Sequence, residues 1–177
     1  MLAGHELIEL IQAGYIDAPL NQVGTSSIDV RLGDDVMLEG QKHQEPVDPR
    51  KKDSSHLLPV RLGGRGMPLQ PGEFILASTY ERVALPDNIS AQFLLKSSIA
   101  RCGVNHLLAG WIDAGFAGNI TLELHNVSRN PILLTSGMKI GQLVFFKHTD
   151  TGLMSYRHRG QYVGKNAEGT VQSKGSK

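Results

Sequence analysis

The chain has 177 residues, the size of one compact domain, and 40% of them are apolar, enough for a real core and too many for a disordered chain. Lys and Arg number 18 against 17 Asp and Glu, a net charge of +1, without the basic excess of a dedicated nucleic-acid binder. Apolar runs are too short to span a bilayer, and the start lacks a basic stretch followed by an apolar one, so no membrane partner and no secretory signal are expected.

In chain order, Leu7, Leu10 and Ile11 fall at helical spacing before Gly14 and predict a short amphipathic N-terminal helix. Strands are predicted over 28–32, closed by a Gly33-Asp34-Asp35 turn, and over 73–78, 91–95, 119–127 and 141–146. Residues 40–69 differ: they carry Lys42, Glu45, Asp48, Arg50, Lys51, Lys52 and Asp53, with Pro46, Pro49 and Pro59 and a Gly63-Gly64-Arg65-Gly66 run. This reads as a variable surface segment, either a solvated loop, the preferred reading, or a partner contact. The end, 157–177, sets Arg157, Arg159, Lys165, Lys174 and Lys177 against Glu168. It is a frayed tail, or a basic lid that orders over an anionic ligand. Short strands without an internal repeat predict one mostly-β domain over 1–177, a sandwich or barrel.

Cys102, the single cysteine, permits no internal disulfide and fits a reducing, cytoplasmic setting. It also excludes zinc sites built on cysteine pairs, including the one zinc-dependent nucleobase deaminases use. The seven histidines show no convincing metal-ligand spacing, and Asn126-Val127-Ser128 is a chance match to a glycosylation acceptor.

Three stretches carry chemistry-bearing residues. In Lys96-Ser97-Ser98-Ile99-Ala100-Arg101, the hydroxyls, guanidinium and ammonium open a short helix after an apolar strand, with Ser97 and Arg101 on one face. That makes either a polyphosphate cradle or a serine N-cap beside an ordinary surface arginine. In the glycine-rich run 110–118, Asp113 either binds a sugar hydroxyl or activates a water, or simply closes a turn. Along 119–126, Ile120, Leu122 and Leu124 face one side and Thr121, Glu123 and His125 the other. Glu123 either points into water, or lines a cleft at a subunit boundary where partial desolvation lets it shuttle a proton.

Taken in order, Ser27-Ile28-Asp29-Val30-Arg31-Leu32-Gly33, Pro71-Gly72-Glu73, the Lys96–Arg101 stretch, Ala109-Gly110-Trp111-Ile112-Asp113-Ala114-Gly115-Phe116, Ile120-Thr121-Leu122-Glu123-Leu124 and Gly137-Met138-Lys139-Ile140-Gly141-Gln142-Leu143 resemble the dCTP deaminase family. The resemblance runs over most of the chain and is weakest in 40–69 and the tail. It implies a distorted β-barrel or jelly-roll-like sandwich of the dUTPase type, and a homotrimer with active sites between subunits. It implies zinc-independent hydrolysis of the cytosine 4-amino group of dCTP to dUTP and ammonia, with Mg2+ held through the triphosphate. By the same resemblance Glu123 is the proton shuttle, and Ser97 and Arg101 hold phosphate oxygens and place the water. Lys96, Ser98, Ala109, Asp113, Thr121, Leu122, Tyr156, Gln161 and Lys165 are implied substrate contacts, with Asp113 at the deoxyribose 3′-hydroxyl and Tyr156 over the nucleotide.

Some positions depart from that pattern. Lys96 stands for an arginine, which turns a bidentate grip into a point charge. Leu108 stands for a small polar residue near the base, the Gln161 and Lys165 positions are exchanged, and the segment between Arg101 and Asp113 is one residue shorter. The alternatives are a bifunctional enzyme that continues to dUMP and pyrophosphate, a dCMP-accepting deaminase, a dUTPase, or a non-catalytic nucleotide-binding regulator. Asp113 would activate the second water in the bifunctional case.

Overall fold

The computed structural model describes residues 1–40, 46–51, 55–149, 151 and 154–159. Helix α1 (His5–Gln12) is followed by β1 (Ile28–Glu39), β2 (Leu57–Arg61), β3 (Met67–Leu69), β4 (Phe74–Ala84) and β5 (Ile89–Leu95). One helical turn, α2 (Ser97–Ala100), leads to β6 (Val104–Asn105), β7 (Trp111–Ile112), β8 (Ala117–Asn126), β9 (Ile132–Leu134) and β10 (Lys139–Lys147). A last short turn of helix is α3 (Tyr156–Arg159). The fold is mostly β, as expected.

The main sheet runs β6-β8-β4-β1-β10-β5-β7, with β2 added on β1, while β3 and β9 form a separate pair. All its pairings are antiparallel. β1 is long enough to serve both halves: Ile28–Arg31 pair with β10, and the strand beyond pairs with β4 and β2. The register shifts between Val30 and Arg31, between Leu32 and Val36, and on β4 between Ser78 and Arg82. Such bulges bend a strand and increase its twist, which curls the sheet around its core.

The bulges leave polar backbone to satisfy, and Glu81 does so. Its carboxylate is 1% exposed; it accepts the Arg31 amide at 2.7 Å, the Arg31 Nε at 2.6 Å and the Gln22 side chain at 3.0 Å. The Arg31 guanidinium in turn lies 4.4 Å over the Tyr80 ring. A buried carboxylate without such partners would carry a large desolvation cost.

Gly33-Asp34-Asp35 is not the expected turn. β1 continues through it as a bulge, and Gly33 lies close against β4: a Cβ there would meet the Ser78 hydroxyl at 2.9 Å and the Ser78 carbonyl at 3.0 Å. The Asp34 carboxylate accepts from Ser136, and its carbonyl accepts from the Leu62 amide. Nor is 40–69 only a solvated loop. It contributes β2 and β3 and buries Leu57, Leu62 and Leu69 in or beside the core. Asn126 is fully buried and donates to the Leu69 and Asn130 carbonyls, so the apparent glycosylation acceptor is spent on packing.

Leu7 and Leu10 of α1 join Phe93, Phe145, Ile28, Ile75, Leu122 and Leu124 in one buried cluster. Gly141 on β10 lies beneath the Phe93 ring with no room for a Cβ, which would overlap the ring and come within 2.8 Å of the Leu94 carbonyl. Replacing Gly141 with alanine should therefore destabilise the protein by about 1–3 kcal/mol through overpacking. An unchanged denaturant midpoint in that variant would contradict this account of the core.

Candidate active site

The sequence places Glu123 on β8, and β8 shows why it lies where it does. The strand alternates buried and half-buried residues: Ile120, Leu122 and Leu124 enter the core, while Thr121, Glu123 and His125 face outward. β4 covers one edge of the strand, with Leu76 opposite Glu123 and Ser78 opposite Thr121. β6 pairs only at Val104↔Asn126 and Asn105↔His125, so the other edge has no strand partner over 117–124 among the described residues. Asn105 and His125, as paired residues, project from the same face as Glu123.

Glu123 is half-buried, and no cation pairs with it among the described residues. Burial pushes its carboxyl above the ordinary glutamate range, opposed only in part by its own backbone amide. Leu122 is a core residue, 2% exposed, so only its main chain is available to a ligand. Thr121 is half-buried on the outward face.

α2 follows β5 and packs against β6, the neighbour of β8. Lys96, not a serine, is its N-cap, in extended conformation; the helix begins at Ser97, and both Ser97 and Ser98 are exposed. Arg101 closes the turn, its amide donating to the Ser97 carbonyl at 3.0 Å, and its exposed guanidinium has no ion pair among the described residues. Lys96 is committed: its Nζ lies 2.6 Å from Asp29 Oδ1, and Lys139 Nζ lies 2.9 Å from Oδ2. Burial alone would push Asp29 up, but the hydrogen bonds and charges of the two lysines overcome it and hold the carboxyl below its ordinary value. The group has two ammonium charges and one carboxylate, so it keeps one positive charge beside the serine-rich turn.

Asp113 lies on the far side of the β6–β7 loop. Its Oδ1 accepts the Trp111 indole at 2.9 Å, and Trp111 stacks on Phe146 with ring centroids 5.9 Å apart. Together with His148, Tyr156 and Arg159 they line an open cavity of about 740 Å³. Tyr156 reaches this wall because its amide donates to the Ala114 carbonyl at 2.9 Å and its ring meets Phe116 edge-on at 5.4 Å. The walls include neither Glu123, Ser97 nor Arg101. One chain thus brings Asp113 to Tyr156, and groups Ser97, Ser98 and Arg101, without closing them into a single pocket. Gln161 and Lys165 lie outside the described residues.

Between these groups runs a loop the sequence did not single out as strained. Leu107 and Leu108 both adopt positive φ, 55° and 61°, and Leu108 is 88% exposed. Each such residue costs about 1–3 kcal/mol, which the surrounding structure must offset. On the Leu107 side of the loop, Asn105 Oδ1 accepts the Leu107 amide at 2.9 Å, and the neighbouring His106 ring packs edge-on to Phe93. Gly110 admits no Cβ against the Phe93 carbonyl. Burial lowers the His106 pKa. Ala109 is exposed on this loop.

The fold and this site define a barrel-like protein with a desolvated carboxylate on one outward strand and a hydroxyl-bearing, cationic turn one strand away. A family profile described as dCTP deaminase-like matches residues 1–148. The chain is 41% identical over 160 residues to the "dCTP deaminase, dUMP-forming" of Methanospirillum hungatei, covering 88% of this chain and 85% of that protein. It is 48% identical over 126 residues to the protein of the same name from Acidothermus cellulolyticus, covering 69% and 65%. The solved structure of the 2′-deoxycytidine 5′-triphosphate deaminase from Agrobacterium tumefaciens superimposes with a TM-score of 0.65 at 25% identity, over 81% of this chain and 46% of that one. The chain belongs to the dCTP deaminase-like family.

The raised Glu123 pKa fixes a sign for stability. The folded protein binds the proton more tightly than the unfolded chain, so this contribution is greatest below the ordinary glutamate pKa and is lost as pH rises through the raised value. Glu123→Gln should melt higher than the parent at neutral pH, with the gap closing below about pH 4. Equal melting temperatures across that range would mean that the carboxylate is well solvated.

Proposed function

We propose that the protein hydrolyses dCTP twice, removing the cytosine 4-amino group and then cleaving between the α- and β-phosphates. One dCTP and two waters give dUMP, ammonia and pyrophosphate. The observation that carries the deamination is the half-buried Glu123 carboxylate, free of any cation among the described residues, on the polar face of β8. The onward cleavage is supported by the dUMP-forming relatives, which favour the bifunctional alternative over an enzyme that stops at dUTP.

In this reading water attacks C4 of the ring while Glu123 accepts its proton. Glu123 delivers that proton to the ring nitrogen, and the amine leaves as ammonia after a further transfer. A carboxyl whose pKa lies above the ordinary range accepts and returns a proton more evenly near neutrality than a solvated glutamate. Ser97, Ser98 and Arg101 hold phosphate oxygens and place the water, with the charge shared by Lys96 and Lys139 close behind. Main-chain groups of Thr121 and Leu122 face the base along the edge of β8 that has no strand partner among the described residues, and Ala109 borders it. Asp113 holds the deoxyribose 3′-hydroxyl and orients the second water, and Tyr156 covers the nucleotide.

Magnesium would screen the triphosphate charge. In this reading the ion would be held mainly by phosphate oxygens and water, the hard oxygen ligands magnesium takes. Asp113 of one subunit and the Glu123 face of another would meet in a homotrimer, a reading supported by their separation within one chain. We place this reaction in the cytoplasm. No helix among the described residues is long and apolar enough to cross a membrane.

Incubation with dCTP and Mg2+ should release ammonia and pyrophosphate in equal amounts with dUMP as the end product. Accumulation of dUTP with ammonia alone would confine the activity to deamination. Glu123→Gln should lower ammonia release about 10²–10⁴-fold while leaving nucleotide binding intact, the usual size of a general acid–base contribution. Near-parental release would remove Glu123 from the chemistry.

A further inference from the structure

The turn that carries Asp113 is held from behind by residues remote in sequence. Gly115 has φ +81° and its amide donates to the Pro86 carbonyl at 3.2 Å, which brings the turn against the β4–β5 connection. Ser155 fills the space between them and is 1% exposed. Its hydroxyl donates to Asp87 Oδ1 at 2.5 Å and lies 3.4 Å from the Ala114 carbonyl. A Cβ on Gly115 would overlap the Ser155 oxygen and come within 2.9 Å of Asp87 Oδ1, so the elements meet as closely as glycine allows. Asp87 also gathers the chain just before: its carbonyl accepts the Thr151 hydroxyl at 2.9 Å and the Thr151 amide at 3.3 Å. Next along, the Tyr156 amide donates to Ala114, and the ring packs on Phe116.

We propose that Asp87 and Ser155 form a latch that sets the geometry of the Asp113 turn, making both of them positioning residues for the sugar and α-phosphate end of the substrate. The catalytic part of this proposal rests on the function proposed above; the geometric part does not. A hydroxyl has a single proton, and the carboxylate is its stronger acceptor, so the Ser155–Asp87 bond is the charge-assisted member of the set. Arg157 Nε, 3.9 Å from the same oxygen and largely exposed, adds little. With the latch closed, Ala114 and Gly115 are fixed from behind, and Asp113 keeps its orientation toward Trp111 and the cavity.

Trp111 makes this directly observable. It is the sole tryptophan of the chain, and its indole donates to Asp113. In the full-length protein, Ser155→Ala and Asp87→Ala should each shift the Trp111 emission maximum and raise its quenching by acrylamide while the fold remains intact by circular dichroism. Their effects should not add in the double variant, because each removes the same bond. Asp87→Asn, which retains an acceptor oxygen, should fall nearer the parent and serves as the milder variant if the alanine forms fail to fold. With dCTP, the latch variants should raise KM about tenfold and lower pyrophosphate release more than ammonia release.

Parental Trp111 emission and quenching in folded latch variants, or additive effects in the double variant, would overturn the latch. An altered Trp111 signal with parental KM and parental product ratio would overturn its role in positioning substrate. If the parent protein itself turned over no dCTP, the functional reading would fail, while the tryptophan measurement would still decide the latch.

Discussion

One constraint organises the molecule: a strand that must bury every second side chain has no choice about where the others point. Ile120, Leu122 and Leu124 are needed inside, so Thr121, Glu123 and His125 are displayed outside, on a strand whose far edge is mostly unpaired among the described residues. The core thereby fixes the position of a carboxylate that takes no part in it. Because the surrounding surface withholds water without supplying a cation among the described residues, Glu123 is left with a weakened preference for its charged form. A salt bridge at that point would have produced the opposite shift, and Asp29 provides the internal contrast. It too is partly buried, yet Lys96 and Lys139 hold it in its charged form.

The curled sheet carries Glu123 on β8 near one end of its strand order and Asp113 just after β7 at the other. Bulges in β1 and β4 bend the sheet, and the buried Glu81 satisfies the backbone and side-chain donors exposed by the bend in β1. β6 and β7 close the two ends of the strand order, and the short loop between them links the Glu123 side to the Asp113 side. Two leucines of that loop, Leu107 and Leu108, take left-handed backbone conformations. Glu123 and Asp113 thus lie on separate walls of one chain.

The sequence made the outward face of β8 legible because a period of two survives in the residue types themselves, and ordered short motifs made the family legible. Desolvation of Glu123 was not, since it depends on what covers the strand. Gly33-Asp34-Asp35 misled because a bulge and a turn call for the same small, polar residues. β2 and β3 hid behind Pro59 and Pro68, which argue against strands, and β6 and β7, two residues each, are too short to show any period. Ser155 and Asp87, 68 positions apart, carried no local signal at all. The serine N-cap reading failed for a subtler reason: the extended Lys96 is itself the N-cap, so the helix already begins at Ser97, earlier than a serine cap would start it.

The central claim is that Glu123 holds its proton more tightly than a solvated glutamate does. Carbon-13 labelling of the glutamate carboxyls, with the Glu123 resonance assigned by its absence in Glu123→Gln, allows its protonation to be followed directly against pH. This account predicts a midpoint clearly above the ordinary value of about 4.3, rising no further when another glutamate is replaced. A midpoint at or below that value would contradict it.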